Sequence, residues 1–359
     1  MRAMAVIENG KPLQPIELPT PEPEGTQVLL EVTHCGVCHS DIHIWDGFYD
    51  LGGGKVLTLK DRGVTLPLAM GHEVVGRVLK LGPEAAASGL KVGDLRLVFP
   101  WVGCGTCARC RADEDNMCLK PRSLGVYQHG GYATHILVPE PRHLLPIDGL
   151  DPALAATYAC SGLTVYSAIR KVMPLPPDEP VVLFGAGGLG LNAIAVLKAV
   201  GHRRIVVVDI DARKREAAIA EGATDVVDGK ADTPDEVAQR VIATCGGPVE
   251  AVIDLVGASA SARAAFASLR KGGTLVLVGL YGGDLPLPLP LMPTRALTVR
   301  GSYVGNVKEL RELISIAQSG RLPAIPITTA PLEQAGDALD RLRAGQVIGR
   351  IVLAAHGRF

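Results

Sequence analysis

The sequence predicts an α/β protein in which a β-rich part is joined to a doubly wound parallel sheet. Its 359 residues exceed the size at which a single hydrophobic core keeps growing, so two domains are expected. From residue 180 a strand, a glycine-rich turn and a helix follow one another, whereas before residue 150 short β runs alternate with Pro and Gly. The two parts of the chain should therefore differ in construction.

The β-rich part is predicted from short apolar runs at residues 27–33, 74–79 and 132–138, each bounded by turn residues. The chain contains 42 glycines but only five Phe and two Trp. Such a composition favours tight turns and close backbone approaches, as expected of an α/β protein that binds a nucleotide.

The parallel sheet is predicted from the alternation of strands and helices between about residues 180 and 300. Residues 181–184 form a continuous apolar run that suits a buried parallel strand, and further strands are expected at 204–208, 251–256 and 274–279. An alanine-rich segment at 260–266 separates the last two strands and is predicted to be helical. This alternation is typical of a doubly wound sheet.

A glycine fingerprint follows the first of these strands. Gly185, Gly187 and Gly190 have the spacing G-x-G-x-x-G, with Gly188 and Leu189 between them, where a helix should begin. Glycine allows the backbone to approach a pyrophosphate at the free amides of a helix N-terminus. The pattern therefore predicts a dinucleotide site.

Asp209 is the candidate acid for the adenosine ribose, because it ends the next strand about twenty residues beyond the glycines. Its carboxylate would accept hydrogen bonds from ribose hydroxyls and repel a 2′-phosphate, so NAD is the predicted cofactor. Ile210 offers no phosphate donor, whereas Arg213 and Lys214 are close enough to leave minor use of NADP open. The structural alternative is that Asp209 only caps a loop.

Cys38, His72 and Cys160 are far apart in sequence, but each lies in a distinctive motif. The motifs are Cys-Gly-Val-Cys-His-Ser-Asp-Ile-His at 35–43, Gly-His-Glu at 71–73 and Ala-Cys-Ser-Gly-Leu-Thr at 159–164. Each residue alone would usually be an ordinary core or surface side chain. Together, two thiolates and one imidazole predict a zinc site whose fourth position is open for catalysis.

A second cluster has the spacing C-x2-C-x2-C-x7-C and comprises Cys104, Cys107, Cys110 and Cys118. Four thiolates at this spacing suit a closed tetrahedral zinc, which organises a loop and does no chemistry. The alternatives are a disulfide framework, typical of small secreted domains, and a nucleic-acid-binding zinc module with a basic stripe. Acidic and basic residues are mixed around the cluster, which favours a solvated lobe. The other cysteines, Cys35 and Cys245, are expected to be reduced and inert.

Charge and hydropathy exclude several classes of partner. The net charge of −1 gives no electrostatic reason to expect nucleic acid or an anionic membrane. No apolar run approaches the roughly 18 residues that span a bilayer, and the first ten residues contain no signal-peptide core. We therefore expect a cytoplasmic protein with a small-molecule substrate.

The motifs, in this order, resemble those of the zinc-dependent medium-chain alcohol dehydrogenases of the compact microbial type, from residue 4 to residue 352. The resemblance implies a discontinuous GroES-like catalytic domain at 1–161 and 305–359, and a Rossmann domain that binds NAD at 162–304. It also implies an active-site cleft between the domains and a homo-oligomer, either a tetramer or a dimer.

The resemblance assigns roles to individual residues. Cys38, His72 and Cys160 match the ligands of the catalytic zinc, and the four clustered cysteines match the structural zinc. Asp41 and Glu73 match the residues that surround the ligands of the catalytic zinc, and Ser40 and His43 match a proton relay. The cofactor contacts are His39 and Arg350 at the pyrophosphate, Thr164 near the nicotinamide, Lys214 at the adenosine ribose, and Val278. Because an imidazole ligand needs an acceptor on its other nitrogen, Asp41 is well placed to orient one.

The expected reaction is the reversible oxidation of a primary or secondary alcohol to an aldehyde or ketone, with hydride transfer to NAD. Zinc would lower the pKa of the alcohol, and the proton would leave through Ser40, the cofactor ribose and His43. Three alternatives stay open: a zinc-free reductase on the same fold, a polyol or hydroxyacyl dehydrogenase, and a non-enzymatic regulator that binds zinc and nucleotide.

Two further features bear on the substrate. An aromatic pocket is predicted from Trp45, Tyr49, Phe99 and Trp101, although buried packing explains such residues equally well. Residues 52–65 lengthen the segment before His72 beyond what compact members of the family show. They predict a solvated loop near the substrate entrance that shapes substrate choice, with a surface excursion or an oligomer contact as the alternative.

Overall fold

The computed structural model describes residues 1–354, which form a β-rich unit and a unit built on a parallel sheet. The first ten strands are β1 (Arg2–Val6), β2 (Gln14–Glu17), β3 (Val28–Gly36), β4 (Phe48–Asp50), β5 (Val56–Thr58), β6 (Leu68–Ala69), β7 (Glu73–Leu81), β8 (Leu95–Val98), β9 (His135–Val138) and β10 (Leu144–Pro146). The other strands are β11 (Val181–Phe184), β12 (Ile205–Asp209), β13 (Asp225–Asp228), β14 (Val249–Asp254), β15 (Leu269–Leu277), β16 (Thr298–Gly301), β17 (Ile327–Pro331) and β18 (Arg350–Ala354).

The helices are α1 (His39–Asp46), α2 (Ala108–Arg111), α3 (Pro152–Thr157), α4 (Leu163–Arg170), α5 (Gly188–Ala199), α6 (Ala212–Glu221), α7 (Pro234–Cys245), α8 (Ser259–Ala267), α9 (Leu291–Thr294), α10 (Val307–Gln318) and α11 (Ala335–Arg343). A π-helical turn, Tyr158–Gly162, joins α3 to α4. Within residues 1–354 no helix has the length and apolar character needed to cross a bilayer.

The doubly wound sheet predicted from the sequence is confirmed. Its six parallel strands lie in the order β13-β12-β11-β14-β15-β16. Successive residues of β11 point to opposite faces: Val181 and Leu183 pack in the core that includes α5, whereas Val182 and Phe184 pack in the core beneath α7 and α8. Both faces are therefore covered, which explains the continuous apolar run in the sequence.

All four predicted strands of this sheet are present, with bounds that differ by up to five residues, whereas β13 and β16 were not predicted. Strand β15 begins at Leu269 instead of residue 274, because Leu269 already pairs with Val249 before a register shift. In the sheet, β12 lies on one side of β11 and β14 lies on the other. A crevice at the carboxyl ends of these strands is the usual ligand site of such sheets.

The β-rich unit is built around the long antiparallel pair β3 and β7, in a sheet with the order β10-β8-β7-β3-β18-β17. Strand β9 also pairs with β3, and a small sheet has the order β2-β1-β6. The predicted strand at 132–138 begins only at His135, since the backbone of Tyr132 bonds instead to Met4 and Met70. The predicted β-rich part is thus confirmed.

The end of the chain returns to the β-rich unit. Strand β18 pairs with β3, so that Leu353 lies opposite Cys35, and β17 extends the same sheet. The discontinuous layout that was expected from the sequence requires such a return. The domain boundaries at 161 and 305 stay a prediction. One hydrophobic core runs from Leu97 of the β-rich sheet through Leu163 to Leu183 of the parallel sheet.

Candidate active site

Helix α1 and its N-cap supply five polar side chains of the site: Cys38, His39, Ser40, Asp41 and His43. Cys38 is its N-cap, and its backbone amide donates to Asp41 Oδ2 at 2.9 Å, which satisfies an amide at the helix start. Ser40 and His43 are three residues apart and therefore share one face of the helix, which lines the cleft between the two units. The predicted zinc ligand and both predicted relay residues thus come from one short element.

His72 and Cys160 are brought to Cys38 by two tight backbone features. His72 lies directly before β7 and follows Gly71, which has φ +88° and no room for a Cβ beside the Tyr132 ring and the Cys35 sulfur. Cys160 lies in the π-helical turn, all of whose residues are buried. Such turns are rare and are frequently found at functional sites.

The three predicted ligands come together as a buried cluster. Their ligand atoms all lie within 4.8 Å of one another, and the sulfurs of Cys38 and Cys160 are 3.9 Å apart. Two Zn–S bonds of about 2.3 Å at a tetrahedral angle would separate the sulfurs by about 3.8 Å. Nε2 of His72 is buried and, among the described residues, has no hydrogen-bond partner. The donor set and its spacing therefore fit zinc.

Asp41 orients the imidazole of this cluster. Its Oδ1 lies 3.1 Å from His72 Nδ1, and its Oδ2 accepts a hydrogen bond of 3.0 Å from the Tyr132 hydroxyl. With Nδ1 next to the carboxylate, Nε2 is left for a metal. The hydrogen bond from Cys160 holds the pKa of Cys38 well below its usual value, which favours the thiolate that a metal requires.

Glu73 and Arg350 form a buried ion pair next to the cluster. Arg350 donates to Glu73 Oε2, and the Ser161 amide donates to Glu73 Oε1 at 3.1 Å. Burial raises the pKa of Glu73 to about 7 despite the neighbouring guanidinium. The Arg350 stem also lies against Gly188, where an added Cβ would be 2.3 Å from Arg350 Cδ. Arg350 thus links the metal cluster to the glycine turn.

The four clustered cysteines also come together in the structure. Their sulfurs are separated by 3.5 Å between Cys107 and Cys110, 3.8 Å between Cys107 and Cys118, and 4.0 Å between Cys104 and Cys110. All four are free thiols, so a disulfide framework is not what holds this lobe. The separations are close to the edges of a tetrahedral zinc–thiolate site.

The dinucleotide end of the cleft is formed by the carboxyl edge of the parallel sheet. Gly185 has φ +101°, and a Cβ on Gly190 would lie 2.2 Å from the Gly185 carbonyl oxygen, so both glycines are required by the turn. Helix α5 begins at Gly188 without a side-chain cap, which leaves its first amides for an anion. The whole cleft, of about 830 Å³, is lined by this turn and by Cys38 and Cys160 of the metal cluster.

Asp209 lies at the end of β12, as predicted for the ribose acid. Its Oδ2 accepts from the Ala186 amide at 2.7 Å and its Oδ1 from the Asp211 amide at 2.9 Å. Lys214 also lines the cleft, whereas Arg213 is paired with Asp211. The carboxylate is therefore fixed at the cleft edge beside the glycine turn.

Several other predicted cofactor and relay residues line the same cleft. They are His39, Ser40, His43, Thr164, Gly187, Leu189, Val278 and Arg350. Thr164 Oγ1 and His43 Nε2 are buried and have no hydrogen-bond partner within the described part of the chain. Burial and the nearby His39 lower the pKa of His43, so its neutral form is favoured.

The structure places only two of the four predicted pocket aromatics in the cleft. Tyr49 and Trp101 line it, and the Trp101 Nε1 donates to the Ala159 carbonyl at 3.0 Å. Trp45 is instead buried, bonded to Lys11 and covered by Arg343. Phe99 is fully buried and stacks on His143. These last two are corrected to core residues, because their rings pack away from the cleft.

The cleft residues that were not predicted from the sequence include Arg62, Tyr127 and Tyr303. Tyr303 follows β16, so its place at the carboxyl end of a parallel strand could have indicated it. Tyr127 lies in an irregular segment that carries no periodic signal. The supporting Tyr132 hydroxyl was also missed, since only the fold brings it to Asp41.

The predicted loop at 52–65 is more ordered than expected. Strands β4 and β5 pair as a hairpin, and Leu59 after them is only 3% exposed. The Gly283 amide donates to the Asp50 carbonyl at 3.3 Å, which joins the hairpin to the parallel-sheet unit. The segment therefore forms one wall of the cleft, at the place where the substrate entrance was expected.

A β-rich unit and a dinucleotide-type sheet that share one cleft, with a three-ligand metal cluster inside it, define the class of zinc-dependent nicotinamide dehydrogenases. Comparison with known families agrees: residues 24–149 match the alcohol dehydrogenase GroES-like domain, and residues 188–319 match the zinc-binding dehydrogenase family. The chain belongs to the zinc-dependent medium-chain alcohol dehydrogenase family.

Individual relatives are similar over almost their whole length. The chain is 38% identical to an NAD-dependent alcohol dehydrogenase of Sulfurisphaera tokodaii, covering 98% of this chain and 99% of the relative. It is 37% identical to one of Saccharolobus solfataricus at the same coverage. Among solved structures, the alcohol dehydrogenase of Aeropyrum pernix is similar with a TM-score of 0.86 and 30% identity, over 99% of this chain and 100% of that one.

Proposed function

We propose that this chain catalyses the reversible oxidation of a primary or secondary alcohol to an aldehyde or ketone, with NAD as hydride acceptor. The observation that carries the proposal is the buried Cys38–His72–Cys160 cluster in the cleft that also contains the glycine turn. Family membership and relatives named as NAD-dependent alcohol dehydrogenases support the same activity. Family membership and these relatives also favour an enzyme over the alternative of a non-enzymatic regulator.

Cys38, His72 and Cys160 hold the catalytic zinc in this proposal, and Asp41 keeps His72 in the ligating orientation. Zinc bound there supplies a Lewis acid that stabilises negative charge on the substrate oxygen. Trp101 packs against the His72 ring, with centroids 5.2 Å apart, and so limits the access of water to the cluster. The four other cysteines hold the structural zinc.

The glycine turn and Asp209 bind NAD in this proposal. The free amides of α5 would hold the pyrophosphate, and Asp209 would accept hydrogen bonds from the ribose hydroxyls. His39 and Arg350 approach the pyrophosphate, while Thr164, Val278 and Lys214 complete the cofactor contacts. NAD supplies the hydride acceptor, and the negative charge of Asp209 disfavours the extra phosphate of NADP.

Ser40 and His43 carry the proton to solvent. Both lie on the cleft face of α1, and His43 is half-buried with an unpartnered Nε2. Its lowered pKa keeps the imidazole neutral and able to accept a proton at neutral pH. A hydroxyl and an imidazole at this spacing move a proton without opening the metal cluster to water.

We extend the proposal to assembly and location: a homo-oligomer, a tetramer or a dimer, in the cytoplasm. Light scattering on the purified protein gives the number of chains directly.

The activity is tested by following NADH formation with a panel of primary and secondary alcohols, before and after removal of zinc with a chelator. We expect NADH formation that is lost with the metal and restored by zinc. No NADH formation with any alcohol, or full activity without zinc, would contradict the proposal.

A further inference from the structure

Arg62 is a cleft residue for which the proposed activity has no use. It follows the β4–β5 hairpin, where its amide donates to the Leu59 carbonyl at 3.1 Å, and Leu59 is anchored in the core. Arg62, Leu59 and Tyr49 line the cleft, and the Tyr49 ring lies 4.9 Å from the ring of His43. The hairpin therefore fixes an exposed guanidinium at the rim of the substrate region.

Two tyrosines share the cleft with Arg62. Tyr49 and Tyr303 line the cleft together with Arg62, whose charge opposes the rise in pKa that burial causes in both phenols. The Tyr303 ring is 5.9 Å from Trp101, whose ring is 5.2 Å from His72. Ring contacts thus connect Tyr303, which lines the cleft together with Arg62, to the metal cluster.

Within residues 1–354, Arg62 has no acidic partner, unlike the other arginines of the cleft. Arg343 is paired with Asp46, and Arg350 with Glu73. Asp61, next to Arg62, accepts a hydrogen bond from Thr58 instead. The acids that line the cleft, Asp209 and Asp232, belong to the parallel-sheet unit at the cofactor end.

An unpaired guanidinium at the rim of the cleft favours an anion over a neutral group, because its positive charge attracts anions to the entrance. The planar guanidinium group can donate two parallel hydrogen bonds to the two oxygens of a carboxylate. We propose that Arg62 binds a carboxylate at the far end of the substrate, so that the substrate class is an ω-hydroxy carboxylate. This inference rests on the proposed alcohol dehydrogenase activity and narrows its substrate.

The test compares two substrates that differ only at the far end, ω-hydroxyhexanoate and hexanol, in the zinc-loaded enzyme with NAD. We expect a higher kcat/KM for the carboxylate, a preference that Arg62→Gln lowers about tenfold, chiefly through KM. Lys60→Gln is the matched control, since it removes the same charge from the same segment without lining the cleft. Arg62→Lys should restore part of the preference.

Binding is measured separately by calorimetry with ω-hydroxyhexanoate in the absence of NAD, so that no turnover occurs. We expect weaker binding to Arg62→Gln and unchanged binding to Lys60→Gln. Equal kcat/KM for the two substrates in the unmutated enzyme, or a parallel change for both in Arg62→Gln, would overturn the inference. Oxidation of hexanol in that case leaves the proposed activity intact, whereas failure with every alcohol contradicts both.

Discussion

At the scale of single residues, charge pairing decides which side chains can meet the cofactor. Of the two arginines that follow Asp209, Arg213 is paired with Asp211, and Arg215 with Asp228. A 2′-phosphate at the ribose would therefore meet the Asp209 carboxylate first, with Lys214 as the cleft cation on the same helix. The Asp209 carboxylate would repel the 2′-phosphate of NADP, and both arginines are already paired with other carboxylates. This arrangement disfavours NADP.

Replacing Asp209 by Gly should reverse part of this preference. The loss of charge-assisted hydrogen bonds to the ribose should lower kcat/KM for NAD about tenfold or more, while use of NADP rises relative to NAD. Asp211→Asn is the control: it frees Arg213 but keeps the ribose acid, so its shift should be smaller. The NADP-to-NAD ratio of kcat/KM is the measurement, and an unchanged ratio in Asp209→Gly contradicts the assignment.

His43 gives a prediction about pH. Burial lowers its pKa, helped by His39 and opposed by Asp46, so the neutral form persists to a pH below the ordinary value of about 6.5. Because the neutral imidazole accepts the proton, its contribution to alcohol oxidation is present above that pKa and is lost as the pH falls through it.

Replacing His43 by Gln should slow oxidation by about tenfold or more near neutral pH, and by less in acid. The ratio of wild-type to variant kcat, measured across pH, should therefore fall toward acidic pH. A ratio that stays constant with pH would show that His43 has only a structural role.

At the scale of elements, the site depends on backbone turns that place side chains from distant parts of the chain. The π-helical turn presents Cys160, the start of α1 presents Cys38, and the Gly71 turn presents His72. The motifs around these residues are local, so the sequence alone could single them out as candidate ligands. Arg62 and Tyr132 reach the site only through the hairpin and the small sheet, which the sequence pattern does not specify.

The Gly71 turn gives a direct test of this dependence. Gly71→Ala combines a left-handed φ with contacts to Tyr132 and Cys35 that are shorter than a Cβ tolerates, so we expect a loss of about 2 kcal/mol or more of unfolding free energy. Gly54→Ala is the control, because it has φ +74° but nothing within 4 Å of an added Cβ. Gly54→Ala should lower the free energy of unfolding by about 1 kcal/mol. Equal effects of the two substitutions on denaturant unfolding would contradict the packing argument.

At the scale of the whole molecule, the two predicted zinc sites differ in where they lie. The Cys38–His72–Cys160 cluster is buried inside the cleft, whereas two of the four clustered cysteines are partly exposed on a separate lobe. The Arg142–Asp115 pair ties that lobe to the β-rich unit, with a distance of 2.8 Å. One site is therefore placed for chemistry and the other for local structure.

The same scale shows how far the sequence can predict this protein. The glycine turn and the alternating strands specify the doubly wound sheet, because their signals are local and periodic. The walls of the substrate region are different, since Trp45 and Phe99 look the same in sequence as Tyr49 and Trp101. Only packing against Arg343 and His143 turns the first two away from the cleft.

The most direct test of the two-site account is the zinc content per chain, measured together with NADH formation in Cys160→Ser and Cys107→Ser. We expect two zinc ions in the unmutated protein. Cys160→Ser should lose turnover but keep the structural zinc and the thermal unfolding midpoint of the unmutated protein. Cys107→Ser should instead lose the structural zinc and unfold at a lower temperature. Full activity in Cys160→Ser would contradict the assignment of Cys38, His72 and Cys160 as the catalytic zinc site.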